Sequence, residues 1–265
     1  MALIGRALCC QPSGRFLLER VDFHCKQGKL YLVVGPNGAG KTSLLKAVAG
    51  LLPLTQGKLT WQGNPIDSLS RQARSQLISY VPPLQPLPFD FSVEEFVAMG
   101  CYATATRYQL TPGRLIEKVL DQVDLLALRH HLVGELSTGE RQRAYIARSL
   151  IGQAPIILMD EPFSSLDLRH QLELWELLTE LVELQNRLLL ISHHDLRSAL
   201  DRPCELILLD QGSSLLQTEP TALLFNSDLM ARFFGVVAQE SPELSFRFSL
   251  ASDGSRKVAT RKEIA

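Results

Sequence analysis

Leu30-Tyr31-Leu32-Val33-Val34-Gly35-Pro36-Asn37-Gly38-Ala39-Gly40-Lys41-Thr42-Ser43 is the stretch on which the fold turns. Its first five residues are apolar and do not alternate, the pattern of a strand buried on both faces of a parallel sheet. The eight from Gly35 to Thr42 fit G-x-x-x-x-G-K-[ST], and residues 42–49, closed by Gly50, read as a helix. A glycine-rich turn between strand and helix lets successive N–H groups converge on an anion, because no Cβ blocks the approach. The helix adds unpaired N–H groups and the positive end of its dipole. In that setting Lys41 reaches the β- and γ-phosphates of a nucleotide and the Thr42 hydroxyl holds Mg²⁺. The candidate phosphate-binding set is Gly35, Pro36, Asn37, Gly38, Ala39, Gly40, Lys41, Thr42 and Ser43.

Outward from this stretch, residues 156–159, 188–191 and 206–209 are further short, continuous apolar runs. Helices are expected between them, over 138–151 before Gly152 and over 168–184. In the second, Leu168, Leu172, Trp175, Leu178, Leu181 and Val182 recur at helical spacing. Alternating strands and helices predict an α/β fold. Residues 17–23 and 58–61 read as strands beside glycine turns, hence an antiparallel side sheet. Pro82, Pro83, Pro86 and Pro88 exclude a helix or central strand and predict a loop over 82–88. A small helical subdomain is expected over about 89–140, and a polar, flexible tail over 239–265.

Asp160-Glu161 follows the run 156–159 directly. Ligands of open parallel sheets bind beyond the carboxyl ends of the strands, so the pair is placed for chemistry. Asp160 is assigned to Mg²⁺, and Glu161 to orienting and polarising an attacking water. Ser137 and Glu140 have the spacing of a capping box at the start of a helix, and Gly139 leaves backbone N–H groups open to an anion. Phe89, Phe91, Val93, Phe96 and Val97 cluster past the proline loop, either as the core of the helical region or as a groove for a partner helix.

Residues 35–43, 136–143 and 156–161, with Ser164-Ser165-Leu166-Asp167 and Ser192-His193-His194-Asp195, together resemble the ATP-binding subunit of an ABC transporter over about residues 1–237. Residues 91–100, 138–144 and 165–171 are similar to the group that imports iron chelates, haem or cobalamin, part of which zinc and manganese importers share. The resemblance implies a P-loop core with a mainly parallel sheet, an antiparallel side sheet and a helical subdomain, as one ATP-binding domain over 1–238. It implies ATP hydrolysis with ATP and Mg²⁺, and two such subunits, most simply a homodimer, head to tail around two nucleotides. Ser137, Thr138, Gly139 and Glu140 would act on the ATP held by the other subunit. Asp167 would lie at the subunit boundary and His194, rather than His193, would contact the γ-phosphate. A transmembrane permease would dock in a groove beside residues 83–100, and an extracytoplasmic substrate-binding protein would complete the system. The subunit would then be peripheral, at the cytoplasmic face of the inner membrane.

Three positions depart from the family pattern. Thr138 stands in place of a glycine, and Pro83 in place of a glutamine that senses Mg²⁺, with Gln85 the candidate substitute. Pro12 aligns with the aromatic that stacks on adenine, leaving Arg15 or Phe16 to supply a surface for the base. A decayed regulatory module with weak turnover is the rival these departures allow. DNA-repair or translation ATPases of this type carry a long coiled-coil insert or tandem copies, for which 265 residues have no room. Composition agrees with a globular chain: 46% hydrophobic and 21% charged residues. With 27 Lys+Arg against 28 Asp+Glu there is no electrostatic footprint for nucleic acid. Five cysteines without CxxC spacing argue against a disulfide scaffold or zinc site and for a reducing compartment. The first residues lack the order of a signal peptide, and no apolar run approaches the ~18 residues of a membrane span.

Overall fold

The computed structural model describes residues 1–11, 17–85, 90–103, 112–164, 166–194, 202–220, 223, 226–234, 236–239 and 247–250. The strands are β1 (Ala2–Cys10), β2 (Leu18–Lys26), β3 (Leu30–Val34), β4 (Gln56–Trp61), β5 (Asn64–Pro65), β6 (Ile78–Val81), β7 (Ile156–Asp160), β8 (Leu188–Ser192), β9 (Cys204–Asp210), β10 (Ser213–Thr218), β11 (Val236–Gln239) and β12 (Arg247–Leu250). The helices are α1 (Lys41–Ala49), α2 (Arg71–Leu77), α3 (Val93–Ala98), α4 (Pro112–Gln122), α5 (Thr138–Leu150), α6 (Leu168–Glu183) and α7 (Ser227–Phe234).

The central sheet runs β10-β9-β3-β8-β7-β6. Its β9-β3-β8-β7-β6 pairings are parallel and only β10 is antiparallel. Every residue of β3, β7 and β8 is buried, and successive side chains point to opposite sides. Leu30, Leu32 and Val34 enter one hydrophobic core with Ile146 of α5 and Leu178 of α6. Tyr31 and Val33 enter a second core with Leu44 and Leu45 of α1 and Leu3, Phe23 and Leu59 of a four-stranded antiparallel sheet, β2-β1-β4-β5. Continuous apolarity follows from this, since each face of a strand has its own core. Burying each such leucine stabilises the fold by about 1.5–3 kcal/mol.

The α/β class, the mainly parallel sheet and the antiparallel side sheet are as expected. Between 92 and 135 the described residues hold α3, α4 and 3₁₀ turns at Met99–Ala103, Leu126–Leu128 and Val133–Glu135. They do not form a separate core. Val93, Phe96, Val97, Leu115 and Leu120 belong to the same cluster as α5, α6 and the sheet. Arg129 holds this region by ion pairs to Glu94 at 3.0 Å and Glu117 at 2.9 Å.

Some expectations need correction. The four-residue strand β6, with polar Ser79 and Tyr80 at its centre, was not legible as a sheet member. Leu168 and Leu172 fit the helical stripe of α6 but are 73% and 46% exposed. The described residues past 235 include β12, paired antiparallel to β11 from Val236↔Leu250 to Gln239↔Arg247. Residues 251–265 lie outside the described residues. Among the described residues no helix is long and apolar enough to cross a membrane.

Candidate nucleotide site

β3 ends at Val34 and α1 starts at Lys41, so Gly35 to Gly40 turn within six residues at the carboxyl edge of the sheet. Gly40, the N-cap of α1, has φ +96°, and a Cβ there would lie 2.8 Å from the Leu17 carbonyl oxygen. Glycine is required on both counts. The turn after β9 closes over the loop from the other side, with the Gly212 N–H donating to the Ala39 oxygen at 3.0 Å. A cleft of about 490 Å³ results, lined by the loop together with Leu17, Glu161, Gln211 and Gly212.

The Lys41 ammonium is 6% exposed and donates to the Gly35 and Pro36 carbonyl oxygens at 2.8 and 3.0 Å. Burial pulls its pKa down, opposed by the negative charges of Glu161 and Asp160. A buried cation whose hydrogen bonds go to neutral carbonyls is ready for an anion. Thr42 Oγ1 donates to Asp160 Oδ1 at 3.0 Å. The same oxygen accepts from Ser192 Oγ at 2.7 Å, and Tyr80 OH donates to Oδ2 at 3.1 Å. Ser192 Oγ in turn accepts from the Glu161 N–H at 2.7 Å. Burial, and then the Asp160 carboxylate, push the Tyr80 phenol up. Glu161 has φ +50°, a left-handed conformation that costs a non-glycine residue free energy and clusters at functional sites.

The structure therefore brings together the loop, Lys41, Thr42, Asp160 and Glu161. Thr42 and Asp160 offer a hydroxyl and a carboxylate in contact, the hard oxygen donors Mg²⁺ takes, so the residues fit that ion. Ser137 caps α5 in a full capping box with Glu140, yet neither they nor Thr138 and Gly139 line the cleft. Asp167 is the N-cap of α6, its Oδ1 accepting the His170 N–H at 3.0 Å. The two histidines after β8 separate by burial. His193 is 3% exposed, with its ring 5.0 Å from Phe163, whereas His194 is exposed. Gln85 is exposed and its carbonyl accepts from the Tyr145 hydroxyl at 3.2 Å, away from the cleft lining. Val93, Phe96 and Val97 are core, leaving Phe91 and Leu84 half-buried at its margin. Arg15, Phe16, Pro12, Phe89, Ser165 and Asp195 lie outside the described residues.

Tyr80, Gln211 and Gly212 were not singled out from sequence, and Ser192 only as part of the motif Ser192–Asp195, with no role assigned to it. Ser192 had one readable signal: a polar residue ending an apolar strand, just as Asp160 ends β7. The two are register partners.

A parallel sheet whose central strand runs through a glycine loop into a helix, with an acid ending a strand further along, defines a P-loop nucleotide-binding protein of the α/β class. A model of the ABC transporter family matches residues 18–164, and the chain belongs to that family. It is 33% identical over 239 residues to a cobalamin import ATP-binding protein of Halobacterium salinarum, covering 90% of this chain and 60% of that one. The chain thus spans 60% of the length of this relative. It is 35% identical over 243 residues to a hemin import ATP-binding protein of Rhodopseudomonas palustris, covering 89% and 91% of the two chains. A solved structure titled as a metal-chelate type ABC transporter in an inward-facing conformation superposes with a TM-score of 0.77 at 25% identity, over 95% of this chain and 98% of that one.

Proposed function

We propose that the chain is the ATP-hydrolysing subunit of a membrane importer, dimerising around two ATP molecules and driving uptake of a metal chelate through a separate transmembrane subunit. One observation carries this reading: the hydrogen-bonded line Thr42–Asp160–Ser192–Glu161 beside the Lys41 ammonium. A phosphate group in the loop would take over the lysine donors now spent on Gly35 and Pro36. Thr42 and Asp160 would hold Mg²⁺, whose charge would offset that of the phosphates when bound. Glu161, with its backbone fixed by Ser192, would accept the proton of the attacking water, and His194 would face the γ-phosphate. Ser137, Thr138, Gly139 and Glu140 would act on the nucleotide of the other subunit, with Asp167 at the boundary. The relatives named for cobalamin and hemin import support a chelated-metal cargo and a permease partner. A peripheral position at the cytoplasmic membrane face and an extracytoplasmic binding protein follow from the same reading.

The test is Mg²⁺-dependent ATP turnover and nucleotide affinity, compared for wild type and Lys41→Ala. Loss of the buried ammonium should weaken nucleotide binding on the order of tenfold or more, the loss of a charge-assisted hydrogen-bond donor. Unchanged affinity would mean that the loop does not hold phosphate.

A further inference from the structure

His170 stands on the first turn of α6 and takes no part in the chemistry above. Its Nδ1 lies 2.8 Å from Asp167 Oδ1, the oxygen that also accepts the His170 backbone N–H. The far edge of the ring lies against Gly139 of α5. A Cβ on Gly139 would come within 2.7 Å of His170 Cδ2 and 3.0 Å of Nε2, closer than packed atoms approach. Gly139 lies inside the helix and is absent from the positive-φ residues, so its backbone does not require glycine. The imidazole does.

The next residue is also involved. Hydrogen bonds from the Ser137 hydroxyl and N–H hold the Glu140 carboxyl below its usual range, with Arg143 and His170 adding to the effect. Along the same face Arg143 approaches Glu173 at 3.5 Å, and Arg169 pairs with Glu173 at 2.9 Å. Gln142, 3% exposed on α5 and bordering the same small void as His170 and Leu166, has an Nε2 with no hydrogen-bond partner among the described residues.

We propose that His170 is a positioning residue that locks the N-terminus of α5 to the N-terminus of α6, so that Ser137–Glu140 and Asp167 move as one body. The inference rests on the shared-nucleotide reading above and deepens it. That reading places both helix starts against the other subunit, and the imidazole sets their mutual register. Phosphate arriving at the α5 terminus would then shift Asp167 with it, without a contact to Asp167 itself.

The experiment is a double-mutant cycle on the full chain, with His170→Ala, Gly139→Ala and the pair, reading kcat, affinity for a fluorescent ATP analogue and the thermal midpoint. His170→Ala should lower kcat on the order of tenfold, the penalty of a misplaced group, while affinity stays within about twofold because the loop is untouched. Gly139→Ala should cost as much, since its methyl displaces the ring. The pair should lose no more than His170→Ala alone, because the two substitutions remove one contact. Multiplying losses would overturn the proposal and assign Gly139 to the phosphate directly. So would an unchanged kcat in His170→Ala, or a drop in kcat matched by an equal drop in thermal stability. His170→Asn, which keeps a polar side chain of similar reach to Nδ1, repeats the comparison where alanine perturbs folding. A wild-type chain without turnover would instead remove the reading of function, and the coupling with it.

Discussion

Asp160 is 1% exposed, and three hydroxyls point at its carboxyl oxygens, from Thr42, Ser192 and Tyr80. Ser192 does two jobs, donating to Asp160 and receiving the Glu161 N–H. Ser192→Ala should therefore cost about 1–3 kcal/mol of stability, because a buried carboxylate and a part-buried N–H each lose a partner. It should also lower kcat on the order of tenfold by loosening Glu161, with nucleotide affinity unchanged. Urea unfolding and steady-state turnover read the two effects, and a variant that matches wild type in both would dismiss the bridge. The residue scale also separates what sequence can carry from what it cannot. The phosphate loop was legible because its chemistry needs contiguous residues, and Asp160-Glu161 because it ends an apolar run. Ser192 and Tyr80 reach Asp160 from neighbouring strands, and Gly212 reaches Ala39 from a turn on the far side. Only register decides those meetings, and register is not local. His193 and His194 likewise differ in burial, which their sequence positions do not show.

Three helix starts hold carboxyls made more acidic by their caps. The Ser92 N–H and hydroxyl hold the Glu95 carboxyl below its usual range at α3, and the Ser137 hydroxyl and N–H do so for Glu140 at α5. The His170 N–H does so for Asp167 at α6. Each carboxyl is more acidic folded than unfolded, so the ionised form is the one the folded chain favours. The stability they contribute is complete above the unfolded value, about pH 4–4.5. It drains as pH falls through the lowered folded values. The gap in unfolding free energy between wild type and Glu95→Ala should thus be constant from about pH 8 to 6 and close below about pH 4. A gap that persisted at pH 3 would mean the cap is held by something other than the charge. Elements were legible in proportion to their periodicity: β3, β7, β8 and β9 as unbroken apolar runs, α5 by its capping box. β6 escaped because Ser79 and Tyr80 interrupt it and prolines follow it. Leu168 and Leu172 fitted the stripe of α6 but extend past the core to its exposed first turns.

Two facts about the whole molecule point beyond one chain. The cleft is walled by the loop, Glu161, Leu17 and the Gln211-Gly212 turn, while the capped helix start at Ser137 to Glu140, with Ser137 and Thr138 exposed and Gly139 buried, does not line it. On the proposed reading, a helix start that does not line its own cleft would serve the nucleotide of a second copy. Near it, Leu168 and Leu172 expose apolar surface beside Asp167, at 73% and 46%. If nucleotide joins two such chains, ATP is the bridge, and hydrolysis removes it. Glu161→Gln keeps the side-chain shape and removes the base, so it should bind ATP and slow hydrolysis at least ~100-fold, the usual worth of a general base. The bridge should then persist. Light scattering on a sizing column, with ATP at saturation, should report a dimer for Glu161→Gln and a monomer for the same protein without nucleotide. Leu168→Asp in the Glu161→Gln background should weaken that dimer without changing ATP affinity, because a charge would have to be buried unpaired at the seam. A Glu161→Gln chain that stays monomeric while saturated with ATP would mean that each cleft works alone, and that the start of α5 faces some other ligand.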